Sequence, residues 1–115
     1  MGKILGVSIL VAALVAGVAM YYGGELSHST VSSNYSKNYG GGFRSYYGGT
    51  LTHCVIENNR ADNDAGGGYM YRDSSIRNIL IANNTAGEES GGLYIYFGVV
   101  AVMCTLADNT AKSIG

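Results

Sequence analysis

The sequence has no proline or tryptophan and few charged residues: charged side chains make up 13% of the 115 residues, and the formal net charge is −1. Without a surplus of lysine and arginine, the chain cannot neutralise a phosphate backbone, which argues against nucleic-acid binding. Lysine- and glutamate-rich stretches are also missing, whereas there are 18 glycines and 10 tyrosines. This composition favours tight turns and strands over helices.

The beginning of the chain lacks charge almost completely. Lys3 is followed by the uncharged stretch Ile4–Met20, and Gly17–Ala19 offers small residues of the kind that a signal peptidase reads. We expect residues 1–19 to be a signal peptide or a retained membrane anchor and residues 20–115 to be the folded domain. A hydrophobic segment folded over the end of the domain is the remaining alternative. The protein is then expected to be secreted or exposed on the cell surface, with membrane contact only through a retained N-terminal segment.

The rest of the chain repeats every 25 residues without an insertion. Equivalent positions form columns of like residues. The columns are Tyr21, Tyr46, Tyr71 and Tyr96; Leu26, Leu51, Ile76 and Ala101; Val31, Ile56, Ile81 and Leu106; and Asn34, Asn59, Asn84 and Asn109. Glycine pairs, such as Gly66-Gly67, close each unit.

Each repeat contains two runs that are typical of strands, for example Phe43–Tyr47 and Leu51–Ile56, and then a polar turn. One such unit cannot bury its own apolar side chains. Stacked units would place each column at a spacing of about 4.8 Å and form one continuous core. We therefore predict an all-β fold, a parallel β-helix of about four 25-residue rungs preceded by a hydrophobic segment.

The segments Val31–Asn34, Ile56–Asn59, Ile81–Asn84 and Leu106–Asn109 resemble the Phe-x-x-Asn motif of polymorphic outer-membrane-protein repeats. The steps Gly66–Tyr69 and Gly91–Tyr94 resemble the Gly-Gly-Ala-Ile motif of that family. An aliphatic residue replaces the phenylalanine in all four units. The resemblance covers about residues 17–115 and implies a right-handed parallel β-helix of the autotransporter-passenger type. Because such repeats serve as passengers, adhesins and sugar-acting enzymes alike, it implies no single function.

The asparagine column has two interpretations. Inward side-chain amides on successive rungs can hydrogen-bond to one another as a structural ladder, and asparagine at a corner can adopt a left-handed backbone. Alternatively, Asn34, Asn59, Asn84 and Asn109 are independent turn residues. The glycine pairs are expected to have a positive φ or to allow close approach of two backbones.

The tyrosine column is the main binding candidate. If Met20, Met70 and Ile95 point inward, strand alternation directs Tyr21, Tyr46, Tyr71 and Tyr96 outward as an aromatic strip for a glycan or a surface protein. If the alternation along the strand is reversed, the same tyrosines point inward and form an aromatic stack in the core.

Cys54 and Cys104 share a column but lie two rungs apart, roughly 9–10 Å, which is too far for a disulfide. We expect free thiols that serve as small buried side chains, with pairing between molecules as the alternative. His28 and His53 are also column neighbours. Because no third close ligand accompanies them, a surface ladder is favoured over a metal site.

Acidic residues gather in the long turn, where they suggest at most a weak Ca²⁺ site or a solvated surface; they are Asp62, Asp64, Glu88 and Glu89. A glycosidase would use such carboxylates as acid and base. A polysaccharide lyase would use them as Ca²⁺ ligands beside a base such as arginine, but Arg72 and Arg77 lie on the strands, away from this turn. No cofactor is expected. An ice-binding face is disfavoured because no column is a regular threonine array.

These features predict a non-catalytic structural or adhesive β-helix module. We expect it to stack end to end with copies of itself or with further β-helix, because an open solenoid end exposes strand edges. The alternative is a carbohydrate-active β-helix, a polysaccharide lyase or glycoside hydrolase relative, or a fragment of one.

Overall fold

The computed structural model describes residues 10–11 and 18–112, and all regular elements in these ranges are β-strands. The strands form three parallel sheets that are stacked as a β-solenoid of about four turns. This confirms the all-β solenoid expected from the repeat. We call residues 18–42, 43–67, 68–92 and 93–112 the first, second, third and last rungs. No helix in the described ranges is long and apolar enough to cross a membrane.

Each rung contributes to all three sheets. The first sheet contains β2 (Val18–Tyr22), β6 (Phe43–Tyr47), β9 (Gly68–Arg72) and β12 (Leu93–Phe97). The second contains β1 (Leu10–Val11), β3 (Glu25–Ser27), β4 (Thr30–Ser32), β7 (Thr50–Glu57), β10 (Ser75–Ala82), β13 (Val100–Val102) and β14 (Thr105–Ala107). The third contains β5 (Tyr35–Ser36), β8 (Arg60–Ala61), β11 (Thr85–Ala86) and β15 (Thr110–Ala111). The sequence predicted two strands per rung, and this short third sheet lies where only a polar turn was expected.

The strand register follows the repeat from the first rung onward. Ile76 pairs with Leu51, and Ile81 pairs with Ile56, so that equivalent residues lie side by side. The N-terminal strand β1 departs from this spacing because Leu10 pairs with Thr30. This pairing places Leu10 and Val11 beside β4 of the first rung. The boundary expected at residue 19 falls within β2, and most of the predicted signal segment lies outside the described residues.

Left-handed backbone at the corners explains how each strand keeps its apolar residues inside. Leu51 and Cys54 are both buried although they are three residues apart, which simple alternation would not allow. His53, with φ 52°, lies between them and bends the chain so that the alternation starts again. Equivalent left-handed residues occur in the same column of every rung, at His28, Asn78 and Met103.

The core is a set of inward columns that run through the stack. Leu26, Leu51 and Ile76 form one aliphatic column, and Val31, Ile56 and Ile81 form another; all six are buried. The glycine pairs allow close backbone approach, as expected: a Cβ added to Gly67 would lie 2.4 Å from the carbonyl oxygen of Gly92. A side chain there would push two rungs apart.

Candidate functional site

The asparagine side chains are hydrogen-bonded from rung to rung. The backbone N–H and Nδ2 of Asn59 both donate to Oδ1 of Asn84, at 2.9 and 3.0 Å. Asn34 donates to Asn59 in the same way, and Asn84 to Asn109. The amide nitrogens of Asn59, Asn84 and Asn109 also donate to a backbone carbonyl of the preceding rung. We call these four residues the asparagine ladder.

The ladder has a direction, because in each asparagine-to-asparagine step the side-chain oxygen accepts from the rung below. The left-handed backbone that was expected at the asparagines themselves is found one residue earlier. Ser33, Asn58, Asn83 and Asp108 have φ values of 54–58°. That placement corrects the sequence interpretation: the preceding residue makes the bend, and the ladder residue is thereby turned into the core.

The tyrosine column faces outward. Met20 and Met70 are buried, whereas Tyr21 and Tyr96 are exposed. This is the orientation in which the methionines point inward and the tyrosines outward. The rings of Tyr21 and Tyr46 are stacked with centroids 4.9 Å apart, and those of Tyr71 and Tyr96 with centroids 5.0 Å apart. Between these two pairs the rings of Tyr46 and Tyr71 meet edge to face. Stacking therefore covers one ring face of each tyrosine within these two pairs.

The aromatic surface is larger than the predicted strip. Nine tyrosines are linked by ring contacts, and they are Tyr21, Tyr22, Tyr39, Tyr46, Tyr47, Tyr69, Tyr71, Tyr94 and Tyr96. We call this surface of the first sheet the tyrosine face. Partial burial, and then the neighbouring phenols, raise the pKa of Tyr69. Tyr39 comes from the long turn and stacks on Tyr69. The repeat could not predict this contact, because the residues at the same repeat position as Tyr39 are Asp64 and Glu89.

Two arginines lie on the tyrosine face. The guanidinium of Arg72 lies 5.0 Å from the ring centroid of Phe97 and 5.5 Å from that of Tyr71, so two aromatic rings hold it in place. Arg44 is half-buried, and its Nε is covered and has no hydrogen-bond partner. Among the described residues, neither arginine makes an ion pair. Arg44 occupies the same repeat position as Tyr69 and Tyr94, so its place on the tyrosine face could have been predicted from the repeat.

The acidic residues of the long turn do not converge on one point. Asp62 accepts a short hydrogen bond from the Tyr35 hydroxyl, which raises the pKa of that phenol, and also faces Arg60 at 3.6 Å. Asp64 accepts the backbone N–H of Glu89, while the side chains of Glu88 and Glu89 are at least partly exposed. In the part of the chain that the structure describes, no group of three or more metal-binding side chains comes together.

The histidine column forms a ladder on an exposed corner. The rings of His28 and His53 are parallel, with centroids 4.8 Å apart, and His53 Nε2 lies 3.2 Å from Nδ2 of Asn78. Asn78 separates the histidines from Met103. The arrangement therefore has the features of the surface ladder rather than of a convergent ligand set.

The last rung exposes positions that are interior elsewhere. Ile95 is 46% exposed, whereas its equivalent Met70 is 0% exposed. Leu106 is 51% exposed, whereas Ile81 is 0% exposed. These side chains occupy the same columns as their buried equivalents. They are exposed because no described residue lies above them.

The two cysteines are free thiols. Cys54 is buried, and burial raises the pKa of its thiol. Cys104 lies two rungs away, with Ile79 between them, and is only half-buried in the last described rung.

We expect a thiol reagent to label Cys104 of the dilute native chain at least tenfold faster than Cys54, because reaction needs an accessible thiolate. Mass spectrometry of the labelled chain measures both rates, and the Cys104→Ser variant should lack the fast phase. Two thiols should react after unfolding. An intramolecular disulfide, or equal rates at the two sites, would contradict the predicted register.

No protein-family model, curated protein or solved structure matches the chain. The structure supports the coarser part of the resemblance, a parallel β-solenoid of about four turns. The similarity to polymorphic outer-membrane-protein repeats rests on the motifs quoted above.

Proposed function

We propose that the chain is a non-catalytic structural module of the extracellular space or cell surface that elongates by end-to-end stacking. The observation that carries this proposal is the exposure of Ile95 and Leu106 in columns that are otherwise buried. Complete burial of such a side chain contributes about 1.5–3 kcal/mol. A further rung above the last one would bury both and extend the core.

The backbone of the last rung favours the same addition. In the described part of the chain, β12, β13, β14 and β15 each pair only with the rung below. Their other edges present backbone donors and acceptors to solvent, and open edges of this kind recruit further strands. A partner with the same repeat would match all four strands at once.

The asparagine ladder selects the orientation of stacking. Asn109 accepts from Asn84, and none of the described residues accepts a hydrogen bond from the backbone N–H of Asn109. That donor requires an acceptor oxygen on the next rung, as every lower asparagine has. Head-to-tail stacking would place the ladder position of a second copy, that of Asn34, next in that direction, whereas head-to-head stacking would oppose donor to donor.

The first rung supplies the complementary columns. Met20, Leu26 and Val31 of the first rung have the same repeat positions as Ile95, Ala101 and Leu106 of the last rung. Strand β1 borders β4 at this end, so stacking requires Leu10 and Val11 to leave that edge. Removal of residues 1–19, which is the signal-peptide alternative of the sequence prediction, would have this result.

Cysteine cross-linking tests the proposal. Head-to-tail stacking makes Ser29 of one copy the column neighbour of Cys104 of the next. We expect the Ser29→Cys, Cys54→Ser variant of residues 20–115 to form a disulfide-linked series under mild oxidation, because Cys54→Ser removes the competing internal partner. A nonreducing gel and light scattering measure the series.

The matched control is Thr30→Cys, Cys54→Ser, in which the new thiol is shifted by one residue and should not cross-link efficiently. Dimers linked only through Cys104 would indicate head-to-head contact. A monodisperse monomer at high concentration, without cross-links, would contradict the proposal.

A further inference from the structure

The strands of the tyrosine face carry charge of one sign only. The strands β2, β6, β9 and β12 contain two arginines and no aspartate or glutamate. The nearest acids in sequence lie outside these four strands: Asp73 is on the corner that follows Arg72, Glu25 begins β3 of the second sheet, and Asp64 and Glu89 are in the long turn. A chain with net charge −1 therefore has one sheet surface whose strands carry only positive charge.

The two arginines have no carboxylate partner among the described residues and are held in different ways. Arg72 is fixed over two aromatic rings, which lowers the entropy that it would lose on binding. Arg44 has a covered Nε without an acceptor. Its terminal guanidinium nitrogens are not covered in this way, so a carboxylate can reach them and form a two-point hydrogen bond.

The tyrosines supply a regular polar rim between these charges. Stacked rings such as Tyr69 and Tyr94 follow the rung spacing, with centroids 5.3 Å apart. A repeat of this length is comparable to one pyranose unit of an extended polysaccharide. Phenol hydroxyls can donate to and accept from sugar hydroxyls.

From these features we infer that the tyrosine face binds an extended acidic polysaccharide that runs along the solenoid axis. Arg44 and Arg72 lie on adjacent rungs, about 4.8 Å apart along the axis, and three residues apart along the strands, about 10 Å across it, so they bind carboxylates on opposite sides of the polymer. The tyrosines contact the sugars between them. The face lies on the side of the solenoid, so that binding does not depend on end-to-end stacking.

Titration of the full chain with polygalacturonate tests the inference, with fully methyl-esterified polygalacturonate as the uncharged control. We expect the charged polymer to bind at least tenfold more tightly than the ester. Arg44→Gln combined with Arg72→Gln should weaken binding at least tenfold. The matched variant Arg77→Gln, which removes an exposed arginine from the second sheet, should leave affinity within twofold.

Arg72→Gln alone changes only an exposed side chain and remains informative if the double variant does not fold; it should weaken binding at least threefold. Equal binding of polygalacturonate and its ester would overturn the role of charge. Equal losses with Arg77→Gln and Arg72→Gln would indicate nonspecific attraction and overturn the assignment to this face. Equal binding of poly-glutamate would overturn sugar recognition, and no binding of polygalacturonate would overturn the inference as a whole.

Discussion

Replacing Asn84 with alanine is expected to lower the free energy of unfolding by about 3–5 kcal/mol, because at least three buried groups would lose a partner worth about 1–3 kcal/mol each. Asn84 is fully buried, and its Oδ1 accepts both the backbone N–H and the Nδ2 of Asn59. Its Nδ2 donates to the Ile56 carbonyl and to Asn109 Oδ1. Alanine leaves the Asn59 donors and the Ile56 carbonyl without these partners inside the core.

Urea unfolding followed by circular dichroism measures the change, and Asn63→Ala is the matched control. Asn63 is half-exposed in the long turn, and the hydrogen bonds described for it use its backbone N–H and carbonyl, which alanine retains. This substitution should cost about 0.5 kcal/mol or less. Equal small losses at Asn84 and Asn63 would show that the asparagines act independently, as the alternative sequence interpretation holds.

Replacing Gly68 with valine is expected to destabilise the chain by about 3 kcal/mol, at the upper end of the usual cost of overpacking a core. Gly68 occupies the column between Phe43 and Leu93, and the Phe43 ring leans into the space that its missing side chain leaves. A Cβ at Gly68 would lie 2.1 Å from Cε1 of Phe43, far inside contact distance. Both residues are buried, so the ring cannot move into solvent without opening the core.

The compensating variant separates overpacking from other causes. Phe43→Val alone should also destabilise, by about 2–4 kcal/mol, because it leaves a cavity. The double variant Phe43→Val, Gly68→Val spreads the apolar volume over two rungs. We therefore expect its loss to be at least about 1 kcal/mol smaller than the sum of the two single losses. Additive losses would show that the two sites do not share one space.

The repeat predicted the features that depend on period alone. Matching residues 25 apart in sequence correctly placed Leu51 beside Ile76 and Ile56 beside Ile81. It also placed Cys54 and Cys104 two rungs apart, with Ile79 between them. A parallel stack in register requires these neighbours whatever the details of the corners, which is why the sequence sufficed for this level of the structure.

Features that depend on backbone corners or side-chain direction could not be predicted in the same way. The left-handed residue precedes each ladder asparagine, as at Asn58, because the bend must turn the following side chain inward. The contact of Phe43 with Gly68 depends on a ring that reaches into the next rung, and two-residue strands such as β8 give no alternation to recognise. The pairing of Leu10 with Thr30 breaks the repeat and leaves no periodic signal.

The central claim is that 25-residue rungs stack in parallel and in register, and a single engineered cysteine tests it most directly. Ile79 is the strand partner of Cys54, and Ile79→Cys would place a third thiol about 4.8 Å from its column neighbours, within disulfide range. We expect oxidation of this variant to join the introduced thiol to Cys54 or Cys104 within one chain, which leaves one free thiol by mass spectrometry. Leu80→Cys, which points outward from the next position, should retain three thiols in the monomer. Three free thiols in the oxidised Ile79→Cys variant, or an intramolecular bridge in the Leu80→Cys variant, would contradict the register on which the fold depends.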